Sequence, residues 1–544
     1  MHKNLIGSPC GAARRFSHPG TTRLAERIDH ARVTPSSPAR RPLAAALGPL
    51  AACSSGTASD PHSSAGPAPA SLVLDTAAWS HDADNDVYYQ LGLSYVTAPQ
   101  DTAHETLGIF VPGAYLSAVD NKAAVRYLRY NAAGLPGDVE RVFVFGHSGG
   151  GAQSAVMGAS GDSALYTPYL EALGAATAGA DGGPLSDAIA GAMCWCPITS
   201  LNEANAAYEW NMGQFSSEGA RAPGTWTEAY SKDLAAAYAG HVNAMGLTDA
   251  AGTALSLEAS GTGVYLKGSY YDHLVGVVTD SLNAFLAATE FPYTPDATQM
   301  AGMGGGAPGG PDGGAPPSGG GPSGGQGPGS SQPADATTYA TVEDYIASLN
   351  AGTQWVAYDS TTKTATITGL ADFVTSQKSP SKDVGALDGV DRGQTENTVL
   401  GVGQETRHFS RVSRDVLAAK ESGYASLTGW SSDYGSASYD SDFTTADGLG
   451  VDVLTREQMY NPMHFLGSGA GAGSSTVAPG WRIRTGIQQG DTASTVEVNL
   501  ALALAAAGHD VDFATVWGRG HTMAEVTGSG EANFIAWLGE AAAG

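Results

Sequence analysis

The stretch Val142-Phe143-Val144-Phe145-Gly146-His147-Ser148-Gly149-Gly150 decides the predicted fold, because an apolar strand runs directly into a serine between glycines. The residues that follow, 152–157, favour a helix. A strained turn between strand and helix lifts a serine hydroxyl clear of the sheet, and small neighbours let backbone and substrate approach it. The order predicts a nucleophile elbow at Ser148, although G-x-S-x-G alone also fits an ordinary turn in a chain with 73 glycines.

Length and charge limit the classes of function. With 544 residues, the chain is long enough for two packed units and additional unstructured segments. The formal net charge is −26, from 53 acidic and 27 basic residues, which argues against a nucleic-acid partner. No apolar run in the chain approaches the roughly 20 residues that a membrane-spanning helix requires.

The N-terminal region has the pattern of a bacterial lipoprotein signal. Two arginines precede the apolar residues 43–52, which end in small residues before Cys53. In such signals the cysteine becomes the lipidated first residue of the mature protein. We therefore expect residues 1–53 to be an upstream segment plus signal, 54–71 to be a disordered tether, and the protein to be extracytoplasmic, lipid-anchored or secreted.

Strand and helix patterns alternate on both sides of a less regular central region. Strands are predicted over 88–97, 106–112, 141–145, 193–198, 482–487 and 511–517, and helices over 122–131, 226–245, 274–288, 495–507 and 532–543. This alternation predicts an α/β fold with a mostly parallel sheet. Its two halves would be 72–220 and 456–544, interrupted by an insertion over 221–455 that contains a disordered Gly/Pro/Ser linker over 300–335.

An acid and a histidine follow in positions that could activate Ser148. Asp491 lies four residues beyond one predicted strand, and His521 lies four residues beyond the next. Loops after neighbouring parallel strands meet at one edge of a sheet, and the order Ser, acid, His is that of α/β-hydrolases. We therefore expect a Ser148-His521-Asp491 triad with the Gly149 amide in the oxyanion hole. Asp491 also suits a helix N-cap, and His147 is expected to point away from the site.

The cysteines and histidines do not suggest a metal site. Cys194 and Cys196 share one predicted strand, and a bridge across a single residue would be strained. Two buried thiols are the simpler interpretation, and no second Cys/His pair has zinc spacing. Neither a catalytic metal nor an organic cofactor is therefore predicted.

Several further stretches are similar to one family. They are Leu107-Gly108-Ile109-Phe110-Val111-Pro112-Gly113-Ala114-Tyr115, Cys196-Pro197-Ile198-Thr199-Ser200 through Tyr208-Glu209-Trp210, and Trp481-Arg482-Ile483-Arg484 through Asp491-Thr492. Together with the serine motif they resemble bacterial tannases, which are α/β-hydrolases with a large lid insertion that cleave galloyl esters. The resemblance covers about residues 85–215 and 380–544.

The resemblance also implies a binding site for the substrate's acid group. In that family a lysine and a glutamate from the lid, with an aspartate near the triad, hold the phenolic hydroxyls of the gallate ring. Lys382 and Glu396 have the corresponding placement and become substrate-binding candidates. Two solvated lid charges are the alternative interpretation.

Two departures from the family pattern bear on activity. Tannases have Asp-x-Asp where this chain has Gln489-Gly490-Asp491, so that Asp491 is either the triad acid or the ring-binding aspartate of a chain without a triad acid. Residues 111–142 also have no room for the extra strand and glycine-rich loop that normally supply a second oxyanion donor. Gly113 or Ala114 could take that role.

The sequence thus predicts a serine esterase that hydrolyses galloyl-type esters, with a small aromatic ester as its partner and no nucleic acid. Contact with a membrane would occur only through the lipid anchor. A feruloyl or other carboxylesterase, which does not need Lys382 and Glu396, is one alternative. A catalytically impaired surface binding protein of hydrolase fold is the other, and it is favoured by the two departures.

Overall fold

A computed structural model describes residues 118–134, 138–295, 337–399, 401–403 and 405–543, and the backbone of 80–82, 87–89, 96–97 and 106–110. The predicted lipidation site Cys53, the tether and the linker over 300–335 lie outside these residues. The strands are β1 Ser80–Asp82, β2 Val87–Tyr89, β3 Val96–Thr97, β4 Thr106–Phe110, β5 Asp138–His147, β6 Gly191–Trp195, β7 Val356–Asp359, β8 Thr364–Ile367, β9 Thr398–Val399, β10 Glu405–Thr406, β11 Gly480–Gly486 and β12 Asp510–Val516.

Thirteen α-helices accompany these strands in the described residues. They are α1 Ala118–Tyr130, α2 Gly149–Ala159, α3 Thr167–Ala172, α4 Leu201–Asn211, α5 Trp226–Met245, α6 Ser269–Ala288, α7 Val342–Leu349, α8 Leu370–Gln377, α9 Arg411–Tyr424, α10 Ser436–Phe443, α11 Val453–Met459, α12 Ser494–Ala506 and α13 Gly530–Ala543.

A six-stranded sheet organises the fold, in the order β12-β11-β6-β5-β4-β3. All neighbours in it are parallel except β3, which runs antiparallel to β4. The parallel strands direct the ends of β5, β6, β11 and β12 to one edge, where loops from both halves of the chain meet. The predicted α/β class with a mostly parallel sheet is confirmed.

The sheet joins segments that are distant in sequence. Strand β11 lies beside β6, although residues 196–479 separate them along the chain. The described part of that interval contains eight α-helices, α4 to α11, and the hairpin of β7 and β8. The exact boundaries of the insertion, 221–455, remain a prediction.

The chain between β4 and β5 is short. The described residues there form α1 and a single 3-10 turn, and β4 pairs directly with β5 on one side and with β3 on the other. No further strand occurs among the described residues of this interval, and residues 111–117 and 135–137 lie outside them. Gly113 and Ala114, the candidates for a second oxyanion donor, lie outside the described residues.

Apolar packing covers the sheet on both faces. The larger core cluster includes Val142, Val144 and the apolar residues of α2, and it continues into the helices of the insertion. A second cluster places Phe143, Met193 and Trp195 against Phe534 and Trp537 of α13. Alternate residues of β5 therefore face opposite layers, as expected for a strand buried on both sides. Among the described residues, no helix is long and apolar enough to span a membrane.

Gly486, the last residue of β11, lies at a close approach between two backbones. A Cβ atom there would overlap Gly520 and lie 2.6 Å from the carbonyl oxygen of Arg519. The same loop is hydrogen-bonded at 3.1 Å from the Gln488 amide to the Arg519 carbonyl. The loop that carries His521 is therefore packed directly against the end of β11.

We expect Gly486→Ala to lower the free energy of unfolding by about 1 to 3 kcal/mol, because the added methyl group forces the backbone of the histidine loop away. Chemical denaturation measures this. Gly480→Ala on the same strand is the control, since its Cβ atom would have only ordinary contacts at 3.6 Å. Equal stability of the two variants would contradict the close approach at Gly486.

Candidate active site

Ser148 occupies the turn between β5 and α2 with φ 60° and ψ −122°, a strained conformation for a residue with a side chain. Its amide donates a 2.9 Å hydrogen bond to the carbonyl of Trp195 at the end of β6. A Cβ atom at Gly151 would overlap that same carbonyl, so helix α2 begins in close contact with the neighbouring strand. This is the predicted nucleophile elbow, and Gly149 stands at the first position of the helix.

His521 lies in the loop after β12 and is buried. Its ring nitrogen Nδ1 is 2.6 Å from Oε1 of Gln489. With the amide in this orientation, Nδ1–H donates to the carbonyl oxygen, which leaves Nε2 as the acceptor nitrogen. Among the described residues Nε2 has no hydrogen-bond partner, and it is the nitrogen that can take a proton.

Gln489 therefore takes the place beside the histidine that was predicted for Asp491. The Asp491 carboxylate instead accepts a hydrogen bond at Oδ1 from the Ser381 hydroxyl at 3.1 Å, and its buried Oδ2 has no partner in the described part of the chain. The physical reason is that the Gln489 side chain reaches the ring, whereas Ser381 holds Asp491. The alternative in which Asp491 is not the orienting acid fits this geometry.

The environment of His521 strongly disfavours its charged form. Burial, with the neighbouring His147 ring next in effect, lowers the pKa of His521 to about 4, and only Asp491 opposes the change. Lys382 and Lys378 lower this pKa further. The imidazole is consequently neutral and able to accept a proton at neutral pH, and it loses that ability as the pH falls through about 4.

His147 corrects a second expectation, because its ring does not lie away from the site. Its centroid is 4.8 Å from that of His521, and its Nε2 is buried without a hydrogen-bond partner. Together with Cys196, the two histidines offer possible ligand atoms within 4.8 Å of one another. The Cys196 thiol, however, donates to the Thr522 carbonyl at 3.4 Å, and burial raises its pKa to about 12, so the thiolate form that metals bind is disfavoured. Cys194 and Cys196 are free and buried, as predicted.

Lys382 and Glu396 are brought together by the structure. Nζ of Lys382 is 3.5 Å from Oε1 of Glu396, and only 15% and 2% of the two side chains are exposed. The lysine charge also acts on the His521 ring. These two residues are therefore a shielded ion pair beside the histidine and not two solvated lid charges.

A hydrogen-bond junction at Gly490 joins α4 and the segment of Ser381 and Lys382 to the loop after β11. The Gly490 carbonyl accepts from the Tyr208 hydroxyl at 2.7 Å and from the Ser381 hydroxyl at 2.8 Å. The Lys382 amide in turn donates to the Tyr208 oxygen at 2.9 Å. Arg221 extends the junction, since it donates to the Lys382 carbonyl at 3.0 Å and forms a two-pronged ion pair with Glu209.

The sequence interpretation missed the polar residues behind Gln489. The amide nitrogen of Gln489 donates to Thr485 Oγ1 at 2.7 Å and to Glu497 Oε1 at 3.0 Å. Nζ of Lys378 donates to the carbonyls of Gln489 and Thr492, the latter at 3.2 Å. A signal for Glu497 was present, because it is the single charged residue of α12, which is mostly apolar and mostly buried.

A separate cavity of about 470 Å³ lies between α4, α5, α11 and α12. Glu203, His241 and Glu457 line it, whereas Ser148 and His521 do not. It is therefore distinct from the site at the edge of the sheet.

The sheet order, the elbow and the histidine loop define the class of this protein: it has the α/β-hydrolase fold. No protein-family model matches the chain, and no curated protein matches it. Solved structures do match it, and tannases are among them. One is the tannin acyl hydrolase from Lactobacillus plantarum, with 25% identity, TM-score 0.50 and coverage of 78% of this chain and 71% of that one.

Two further structures support the likeness. A tannin acyl hydrolase in complex with 3,4-dihydroxybenzoate has 26% identity and TM-score 0.51, covering 77% of this chain and 70% of its own. The Fusobacterium nucleatum tannase has TM-score 0.52 with 78% and 72% coverage, and at 23% identity it supports the fold alone. The resemblance to tannases is thus confirmed, and at the level of the fold the likeness supports an ester hydrolase.

Replacing Gln489 by aspartate should raise the pKa of His521, because a carboxylate beside the ring favours the imidazolium. We expect its titration midpoint in NMR to move up by about one to three pH units. Gln489→Asn shortens the side chain equally without adding charge and is the matched control. A common midpoint in the two variants would show that this residue does not lie beside the ring.

Proposed function

We propose that the protein is a serine esterase that hydrolyses galloyl-type esters of hydroxylated aromatic acids. The observation that carries the proposal is the strained Ser148 at the edge of the sheet, near a buried neutral histidine. The His521 ring contacts the ring of His147, the residue next to the serine. Its Nδ1 is already engaged by Gln489, so Nε2 is left for proton transfer.

In the proposed reaction, Nε2 of His521 takes the proton of the Ser148 hydroxyl as its oxygen attacks the ester carbonyl. The Gly149 amide stabilises the resulting oxyanion, since it is unpaired at the first turn of α2. His521 then gives the proton to the departing alcohol. Water, activated by the same nitrogen, attacks the acyl-enzyme, and the carboxylic acid is released as Ser148 recovers its proton.

Three side chains of the site suit an acid group with several hydroxyls. Oδ2 of Asp491 is buried and has no hydrogen-bond partner among the residues that the structure describes, so a phenolic hydroxyl could donate to it. Lys382 and Glu396 together supply donors and an acceptor at a shielded position. The complex of a similar tannin acyl hydrolase with 3,4-dihydroxybenzoate supports the same class of ligand.

A lower turnover than that of a complete Ser-His-Asp triad is part of the proposal. Gln489 accepts the hydrogen bond of the ring as an aspartate would, but it has no negative charge with which to stabilise the imidazolium. This observation keeps the impaired, substrate-binding alternative open. A feruloyl esterase is supported less, because a methoxylated ring would not use the charged and acidic groups around Asp491.

We also propose that the domain works outside the cytoplasm, held to a membrane through lipidation of Cys53. Support comes from the sequence pattern of the basic flank, the apolar residues 43–52 and the small residues before the cysteine. The Ser/Ala/Pro/Gly-rich segment after Cys53 would then act as a tether.

Ser148→Ala should abolish turnover of methyl gallate, with a loss on the order of 10⁶-fold if the catalytic groups act as a unit. Release of gallic acid is followed by chromatography, and a fluorophosphonate probe should label the wild type but not the variant. Ser154→Ala is the control: Ser154 lies on the same buried helix and bonds only its own helix, at 2.9 Å to the Gly150 carbonyl. Undiminished turnover in Ser148→Ala would refute the proposal.

Asp491→Asn should reduce kcat/KM for methyl gallate by about 10- to 100-fold, because a hydrogen bond to a charged acceptor is lost. Methyl benzoate has no ring hydroxyls, so its hydrolysis should change by less than about threefold. Turnover of methyl ferulate by the wild type, compared with that of methyl gallate, distinguishes a feruloyl esterase from a galloyl esterase. Equal losses for gallate and benzoate would argue against Asp491 as a contact of the phenolic hydroxyls.

A further inference from the structure

A neutral amide beside the proposed catalytic histidine can face the ring in two orientations, and only one of them suits catalysis. The oxygen and the nitrogen of the Gln489 amide are alike in shape, but the oxygen accepts hydrogen bonds and the nitrogen donates them. If the amide nitrogen faced His521, it would select the tautomer with the proton on Nε2, which cannot accept a proton from serine. In serine proteases, replacement of the triad acid by an amide costs about 10⁴-fold in kcat through this wrong tautomer.

The contacts on the far side of Gln489 determine its direction. Its nitrogen has two hydrogens, which go to Thr485 Oγ1 at 2.7 Å and to Glu497 Oε1 at 3.0 Å. The Thr485 hydroxyl hydrogen is itself directed to Glu497 Oε1 at 3.1 Å, so its lone pairs face the amide. An ionised carboxylate offers only acceptors, and therefore a flipped amide would place its oxygen against Glu497.

We propose that Glu497 is a positioning residue of the active site, which holds the Gln489 amide so that its oxygen faces His521 and fixes the reactive tautomer. The inference rests on the proposed function in one respect: Ser148 and His521 must form the reacting pair for the tautomer to matter in catalysis. The tautomer itself is a property of the folded chain and can be measured without any substrate.

A buried charge on Glu497 needs a partner, and the structure provides one. Glu497 is fully buried and Lys378 nearly so. Burial is the larger effect, and it raises the pKa of Glu497 to about 7 and lowers that of Lys378 to about 8. The attraction between the two charges opposes it and favours both ionised forms. Lys378 also bonds the Gln489 carbonyl. Lys378 thus holds the backbone of the loop after β11, and Glu497 holds the Gln489 side chain of that loop.

The chemistry of α12 favours this role over simple packing. Glu497 is the one charged residue of this mostly apolar and buried helix, and a buried carboxylate costs free energy unless its oxygens are satisfied. Oε1 receives the two hydrogen bonds from Thr485 and Gln489, while Oε2 has no partner. The interactions of the carboxylate are therefore directed at the residue that contacts His521.

Glu497→Gln tests the proposal, because it keeps the size of the side chain and removes its acceptor-only character. At pH 8 we expect kcat for methyl gallate to fall about 10²- to 10⁴-fold, with KM changed less than about threefold. Nitrogen-15 NMR of histidine-labelled protein should show His521 changing from the Nδ1–H to the Nε2–H tautomer. Retention of the Nδ1–H tautomer in the variant would overturn the proposal.

The Gln489→Asp background separates positioning from a merely structural role. An aspartate cannot present a donor to His521, so the loss in kcat caused by Glu497→Gln should shrink to less than about threefold in that background. An undiminished loss there would also contradict the proposal. If Glu497→Gln alone folds poorly because Lys378 is left without its counter-charge, Glu497→Gln with Lys378→Met removes both charges, and the same tautomer change is expected.

The two proposals fail in different ways. If the wild type is not labelled by a fluorophosphonate and does not cleave methyl gallate, the proposed function is wrong, while the tautomer measurement still decides the role of Glu497. If the wild type is active and Glu497→Gln keeps both its kcat and its tautomer, only the role of Glu497 is wrong.

Discussion

The carbonyl of Gly490 is the point on which the site depends. It accepts hydrogen bonds from Tyr208 and from Ser381, two segments that are far apart in the sequence. Together with the bonds from Lys378 to the carbonyls of Gln489 and Thr492, they fix the segment 378–382 against the loop after β11. This half-buried carbonyl thus links α4 and the segment of Ser381 and Lys382 to the loop after β11.

In the tannase pattern Asp-x-Asp, one acid orients the histidine and the other contacts the substrate ring. Here Gln489 and Asp491 stand at these two positions, on either side of Gly490. Gln489 contacts the histidine, and Asp491 keeps a buried oxygen without a partner. The chain therefore retains the shape of the site while removing one charge from it. In the proposed reaction, the missing charge weakens stabilisation of the imidazolium, which lowers turnover more than it lowers substrate affinity.

Much of the core was predictable, because strand and helix patterns are local properties of the sequence. The elbow at Ser148 and the element that carries His521 follow from an apolar run, glycines and spacing. The helices α8 to α11 could not be predicted in this way, because their short amphipathic patterns depend on contacts within the insertion. The sequence also could not show which residue is hydrogen-bonded to His521. Both Gln489 and Asp491 follow β11, and the directions of their side chains are set by contacts with Ser381, Thr485 and Glu497.

The ion pair between Lys382 and Glu396 has a consequence for how the site responds to its surroundings. Each charge is matched by the other within the protein, and both are largely shielded from water. Dissolved ions screen such a pair much less than they screen charges at the surface. If the proposed function holds, recognition of an uncharged phenolic ester should accordingly be insensitive to ionic strength.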